Sequence, residues 1–218
     1  YAQIEFAPLG AIWHYHWSPF LGPTYYITTY PLEVTGLDTV QGIPCSRLVG
    51  TSGCASEMDF PYLLHQENEK VYRSINGSFH LLYDFSAQTG EEWLVPNLNS
   101  SGNGYDTLIV RVDSVSYWNI NGYTRKVQHV SYPNYYSGIS LDWGELMIES
   151  IGNNYFMYPQ VTFCDPPTGP LRCYQDNQIE YILGYPCDTT IYFSDVNNPT
   201  TSTLGLIRPN PASDIVFL

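Results

Sequence analysis

Apolar and aromatic residues recur at alternate positions in short runs along the whole chain. Gly, Asn, Asp and Pro separate the runs. A period of two places successive side chains on opposite faces of a strand. In Leu108–Ile120, residues Leu108, Val110 and Val112 share one face, and Ile109, Arg111 and Asp113 share the other. In Tyr123–Val130, Lys126 and Gln128 oppose Val127 and His129. No segment carries a capped apolar stripe of period 3.6, so helix content is expected to be small. A single turn near Asp142–Ile148 is the one helical candidate. The pattern predicts strands over Ala11–Trp17, Tyr25–Val34, Ile43–Val49, Met58–Gln66, Lys70–Ser74 and Phe79–Asp84. It continues with Leu108–Ile120, Tyr123–Tyr132, Gly144–Ile151, Tyr155–Phe163, Leu171–Tyr174, Ile179–Leu183 and Thr190–Phe193. Asn121-Gly122 predicts a type I′ hairpin, because both residues tolerate positive φ. Asn76-Gly77 and Asp176-Asn177 are weaker forms of the same signal.

So many strands on short turns predict an all-β fold. The expected arrangement is an antiparallel meander forming a barrel or a two-sheet sandwich. Residues 3–193 read as one all-β domain. The Ser/Asn/Pro/Thr-rich stretch 194–207 reads as a linker.

Composition narrows the function classes. The chain has 218 residues, long enough for a sizeable core, and 44% of them are apolar. Only 13% are charged, so Tyr, Ser, Thr, Asn and Gln must build much of the surface. Eight basic against twenty-one acidic residues give a net charge of −13. Such a field repels phosphate backbones and anionic lipid, which argues against nucleic-acid partners. No apolar run is long enough for a membrane-spanning helix. The five cysteines are Cys45, Cys54, Cys164, Cys173 and Cys187. Their spacing predicts bridges Cys45–Cys54 and Cys164–Cys173, with Cys173–Cys187 as the alternative to the second. No C-x-x-C spacing supports zinc.

Several residues are candidates for chemistry. His14 and His16 share one face of a strand at the i, i+2 spacing of strand-borne metal ligands, and a third ligand would have to come from elsewhere. The competing reading is a solvated histidine face on an aromatic-rich edge strand. Carboxylate pairs for glycoside hydrolysis could come from Asp84, Glu91, Glu92, Asp142, Glu145 or Glu149. There is no G-x-S-x-G elbow and no phosphate-binding glycine loop, so no cofactor is expected. Twenty Tyr together with Trp13, Trp17, Trp93, Trp118 and Trp143 could form a sugar-stacking platform. Tyr132, Tyr135 and Tyr136 beside Pro133 form one such cluster. The competing reading places most of these rings in the core.

The tail Pro209-Asn210-Pro211-Ala212-Ser213-Asp214, followed by Ile215-Val216-Phe217-Leu218, resembles the opening of the C-terminal sorting domain of the Bacteroidetes type IX secretion system. Residues 208–218 would be the start of that domain, cut short. Tyr1-Ala2-Gln3 is similar to a signal-peptide junction, with residues 1–2 as its remnant. Within the body, Trp13-His14-Tyr15, Glu33–Thr39, Gly42–Leu48, Lys70-Val71-Tyr72, Leu82–Phe85, Glu149–Gly152 and Leu171–Asp176 stand in an order that resembles uncharacterised secreted Bacteroidetes proteins carrying such sorting domains. Leu37 departs from that pattern, which has Asp directly after the Gly. The resemblance implies a secreted or cell-surface location and the type IX machinery as partner, but no catalytic residues. Asp38-Thr39-Val40, Asp106-Thr107-Leu108, Asp113-Ser114-Val115 and Asp188-Thr189-Thr190 resemble Bacteroidetes O-glycosylation acceptors. The expected function is a surface binding module, for a glycan or a surface protein. A secreted polysaccharide hydrolase and a structural or adhesive component are the alternatives.

Overall fold

The computed structural model describes residues 5–17, 25–50, 61–98, 105–134, 143–159, 168–184 and 186–193. The signal remnant, the linker 194–207 and the tail 208–218 lie outside them. The described residues form an all-β, antiparallel fold without helix, as the alternation predicts.

Strands β1 (Ile12–Trp17), β2 (Tyr25–Val40), β3 (Ile43–Gly50), β4 (Tyr62–Glu67), β5 (Lys70–Ile75) and β6 (Ser78–Asp84) follow one another as a meander. A second meander comprises β7 (Glu92–Leu98), β8 (Tyr105–Ile120), β9 (Tyr123–Ser131), β10 (Leu146–Ile148) and β11 (Gly152–Asn153). The chain then returns to the first sheet. β12 (Thr168–Gln175) pairs with β1, β13 (Glu180–Ile182) pairs with β12, and β14 (Ile191–Phe193) pairs with β2. One of the two sheets curls into a half-barrel. The expected barrel or sandwich is thus resolved into a nine-stranded and a five-stranded sheet, one of them a half-barrel.

Local chemistry explains the hairpins. Asn121 and Gly122 adopt φ of 51° and 84°, and Asn76 and Gly77 adopt 51° and 77°, as type I′ turns require. Gln41-Gly42 has the same signs at 51° and 81° and joins β2 to β3. Asp176-Asn177 works differently. The Asp176 carboxylate accepts the Gln178 and Ile179 backbone N–H groups, both at 2.6 Å, in a side-chain-capped turn. The strand expected to end at Val34 continues past it. β2 runs on to Val40, and a bulge between Val34 and Gly36 absorbs the irregularity.

The core contains Trp13, Tyr15, Leu32, Leu48, Val71, Leu82 and Tyr83 from the first sheet. Across it run Val110, Val112, Val127 and the irregular stretch from Ser150 to Tyr158. The strand expected over Tyr155–Phe163 is absent from the part described, to Pro159. This buried backbone lacks a full ladder, so its polar groups need other partners. Aromatic side chains supply them. Trp13 Nε1 donates to the Ile151 carbonyl at 2.7 Å, and Trp143 Nε1 donates to that of Phe156 at 3.0 Å. The Tyr83 hydroxyl donates to the Met157 carbonyl and accepts the Asn153 N–H at 3.2 Å.

Lys126 and Gln128 belong to the polar face of β9 yet are buried. The stretch Asp84–Ala87 crosses them. Lys126 Nζ donates to the Phe85 and Ala87 carbonyls at 2.7 and 2.9 Å, and Gln128 Nε2 donates to Asp84 and Ala87 at 2.8 and 3.0 Å. Both side chains tie the second sheet to the end of the first.

The disulfide pattern corrects the expectation from spacing. Cys173 bonds Cys187, with Cα atoms 5.5 Å apart, so it is not bridged to Cys164. Cys45 is a buried free thiol, so the bridge to Cys54 does not form. Cys54 and Cys164 themselves lie outside the described residues.

Candidate functional site

β7 pairs with β8 only as far as Arg111. Beyond it, β8 continues to Ile120 with β9 on one side and no described strand on the other. β13 likewise has β12 on one side only. These two strand edges face each other across an open cleft of about 630 Å3, lined by Tyr117, Trp118, Asn119 and Asn121 on one wall and Glu180, Tyr181 and Ile182 on the other. The edges explain why consecutive residues line it. Tyr117 and Trp118 point to opposite faces of β8, but both reach a cleft that runs along its side. The Asn121 carboxamide oxygen accepts the Glu180 N–H at 2.8 Å and pins the hairpin tip to β13.

The cleft combines rings with amide and carboxylate groups. Tyr117 is 67% exposed, while Trp118 and Tyr181 are half-buried with one part against the core. Burial pushes the Tyr181 hydroxyl pKa up, so it remains a proton donor. Asn119 Oδ1 accepts the Gly122 N–H at 3.0 Å. With both Asn oxygens engaged, the amide nitrogens of Asn119 and Asn121 are the groups left to donate to a ligand. Glu180 is steadied by Gln175 Nε2, 2.7 Å from Oε1, leaving Oε2 as an acceptor.

A second cavity of about 410 Å3 is lined by Phe6, Cys45, Ser46, Leu64, His65 and Gln66, among others. Its groups serve the fold. Ser46 Oγ donates to the Ala7 carbonyl at 2.8 Å, Gln66 Oε1 accepts the Phe6 N–H at 2.7 Å, and His65 Nδ1 donates to the Pro44 carbonyl at 2.8 Å. Burial, with Asp38 adding to it, pushes the Cys45 thiol pKa up. Cys45 is therefore a thiol at neutral pH and a poor nucleophile.

The residues expected from sequence fall as follows. Tyr132 stacks on Trp143 and donates its hydroxyl to the Gly144 carbonyl, so it supports the core instead of facing a ligand. Tyr135 and Tyr136 lie outside the described residues. Thr39, Thr107 and Ser114 are exposed and Thr189 is half-buried. Among the carboxylates, Asp84 pairs with Lys70 at 3.0 Å and Glu92 with Arg111 at 2.7 Å. Glu91 accepts the Gln88 N–H and Glu149 that of Lys126. Asp142 lies outside the described residues. Among the described residues, each of the two clefts carries a single carboxylate, Glu5 in the Cys45 cavity and Glu180 in the aromatic cleft. An acid and base pair needs two.

His14 and His16 lie in β1 as expected, but no third His, Cys, Asp or Glu joins them among the described residues. Burial lowers the pKa of both. The Arg172 guanidinium lowers both further, while Asp188 opposes the shift at His14. A fixed guanidinium beside two imidazoles disfavours a metal cation there. The shifts have a consequence for stability. The unfolded chain takes up protons on these residues near pH 6.5, whereas the folded chain takes them up only at lower pH. Their contribution is therefore fully present above about pH 6.5 and is lost as pH falls below it. Urea unfolding of the native protein is expected to show a midpoint that drops below that pH. The H14Q/H16Q double variant is expected to show a shallower drop. Equal slopes for the two proteins would exclude these histidines as the cause.

Scans against protein-family models, curated proteins and solved structures return no match for this chain. The cleft residues were within reach of sequence reasoning. Tyr117-Trp118 are adjacent rings on a predicted strand, directly before a predicted tight turn. Adjacent strand residues face opposite sides, so one sheet face could not bury both.

Proposed function

We propose that this domain is an extracellular binding module that holds a carbohydrate in the cleft between β8 and β13. The observation that carries the reading is the meeting of Tyr117, Trp118 and Tyr181 with Asn119, Asn121 and Glu180 in one open groove. Rings offer flat apolar surface to pyranose faces, and amide and carboxylate groups match ring hydroxyls. The unpaired edges of β8 and β13 add backbone donors and acceptors to the same groove. Export is supported by the Cys173–Cys187 disulfide, which belongs to oxidising compartments, and by the type IX-like tail and motif order. No helix among the described residues is long and apolar enough to cross a membrane.

Affinity electrophoresis in gels containing single polysaccharides tests the reading. The native protein is expected to be retarded by at least one of them. Truncating Trp118 to Ala is expected to cost about 2 kcal/mol or more, roughly thirtyfold in affinity. Trp118 also packs against the core, so Tyr117→Ala serves as the surface variant, with thermal unfolding as its control. Absence of retardation on every polysaccharide would overturn the proposal.

A further inference from the structure

Resting on the carbohydrate reading of this cleft, the geometry points to a neutral polysaccharide as the ligand, with acidic polysaccharides excluded by Glu180. Among the described residues, the cleft lining holds one charged group, and it is this carboxylate. Its Oε1 is fixed by Gln175, so it cannot easily swing away from a ligand. The cations nearest in the hairpin are committed elsewhere. Arg125 donates to Ser150 Oγ at 3.1 Å, with its guanidinium 5.1 Å from the Tyr123 ring centre. Lys126 spends its ammonium on the Phe85 and Ala87 carbonyls. A uronate or sulfate entering the groove would meet a carboxylate with no counter-charge, inside a chain of net charge −13. A neutral pyranose meets the same carboxylate as a hydrogen-bond acceptor for its hydroxyls, which is a charge-assisted and favourable contact.

Matched panels separate the parts of this argument. Native protein is run against soluble neutral β-glucan, xylan and mannan, and against polygalacturonate and alginate, at low and high salt. Retardation on at least one neutral polymer and on neither acidic one is the expected result. Neutral binding is expected to be insensitive to salt, because no ion pair forms. Glu180→Gln is expected to weaken neutral binding roughly tenfold, the scale of one charge-assisted hydrogen bond. It is also expected to narrow the gap between neutral and acidic polymers. Retardation on an acidic polymer by the native protein would overturn the selectivity inference and leave the carbohydrate reading standing. An unchanged gap in E180Q would overturn the role of Glu180. Failure to bind any polymer in either panel would overturn the carbohydrate reading itself, and the selectivity inference with it.

Discussion

Replacing Tyr83 with Ala is expected to lower the unfolding free energy by about 3–5 kcal/mol, the scale of a large aromatic truncation in a packed core. The Tyr83 ring touches Phe6, Phe85 and Trp143 with centroids 5.5, 5.6 and 6.1 Å away. Its hydroxyl donates to the Met157 carbonyl and accepts the Asn153 N–H. Tyr83→Phe isolates the second contribution. It removes the hydroxyl, strands a buried carbonyl and a buried N–H, and is expected to cost about 1–3 kcal/mol. Gly152 fits the same contact from the other side. A Cβ there would lie 3.0 Å from the Tyr83 hydroxyl, and the residue sits at φ 93°, so it has neither the space nor the backbone for a side chain. Urea unfolding followed by tryptophan fluorescence measures both variants. A loss in Y83F below a few tenths of a kcal/mol would mean that water or a neighbour replaces the hydroxyl.

The same contact marks where the sequence stops being readable. The alternation in Leu108–Ile120 and the Asn-Gly turns depend on local rules, and β8, β9 and their turn form as expected. The pattern also predicts strands over Gly144–Ile151 and Tyr155–Phe163, whose facing ends meet in the stretch from Ser150 to Tyr158. What it becomes is set by Trp13, Tyr83 and Trp143, the first two from distant parts of the chain, and neither of those two can be placed by local pattern. Lys126 and Gln128 are a second case. Their position opposite Val127 and His129 was legible, but their burial depends on Asp84–Ala87, some forty residues away.

The rings that line the proposed site are legible in the sequence, but the place where they meet is not. An abundance of Tyr and Trp raised a sugar platform, and Trp118 was among the rings named. The Tyr132 cluster drew notice because Pro133 marks a loop, yet Tyr132 is pinned inward by Trp143 and Gly144. The cleft proposed for the ligand depends on β8 outrunning β7 and on β13 returning near it. Both are facts of topology. The choice between Cys164 and Cys187 as the partner of Cys173, left as alternatives by spacing, turns on topology in the same way. Proximity in sequence favoured Cys164 as the partner of Cys173, but the turn at Asp176 folds β13 back along β12 and brings the 187 end alongside.

That disulfide gives the second large effect. Cys173 and Cys187 are 14 residues apart, and a loop of that length closed by a bridge is worth about 3 kcal/mol in the chain-entropy account. The C173A/C187A double variant, compared with the native protein in urea, is expected to show that loss. Reductant is expected to weaken the native protein to a similar degree and to leave the double variant unchanged. Equal stability of both proteins, with or without reductant, would show that the bridge constrains nothing. The closed loop contains all of β13, whose three residues pair with Cys173, Tyr174 and Gln175. Besides that short ladder, the Leu183 N–H to Arg172 bond at 2.8 Å and the Asn121 contact to Glu180 hold it in place. So short a strand at a sheet edge is marginal on its own hydrogen bonds. Because β13 supplies Glu180 and Tyr181 to one wall of the cleft, opening the bridge is also expected to weaken polysaccharide retardation, even at temperatures where the domain stays folded. Unaltered retardation in a folded double variant would separate the two roles: the bridge would stabilise the domain, and the short ladder with the Leu183 and Asn121 contacts would keep the wall of the cleft in place.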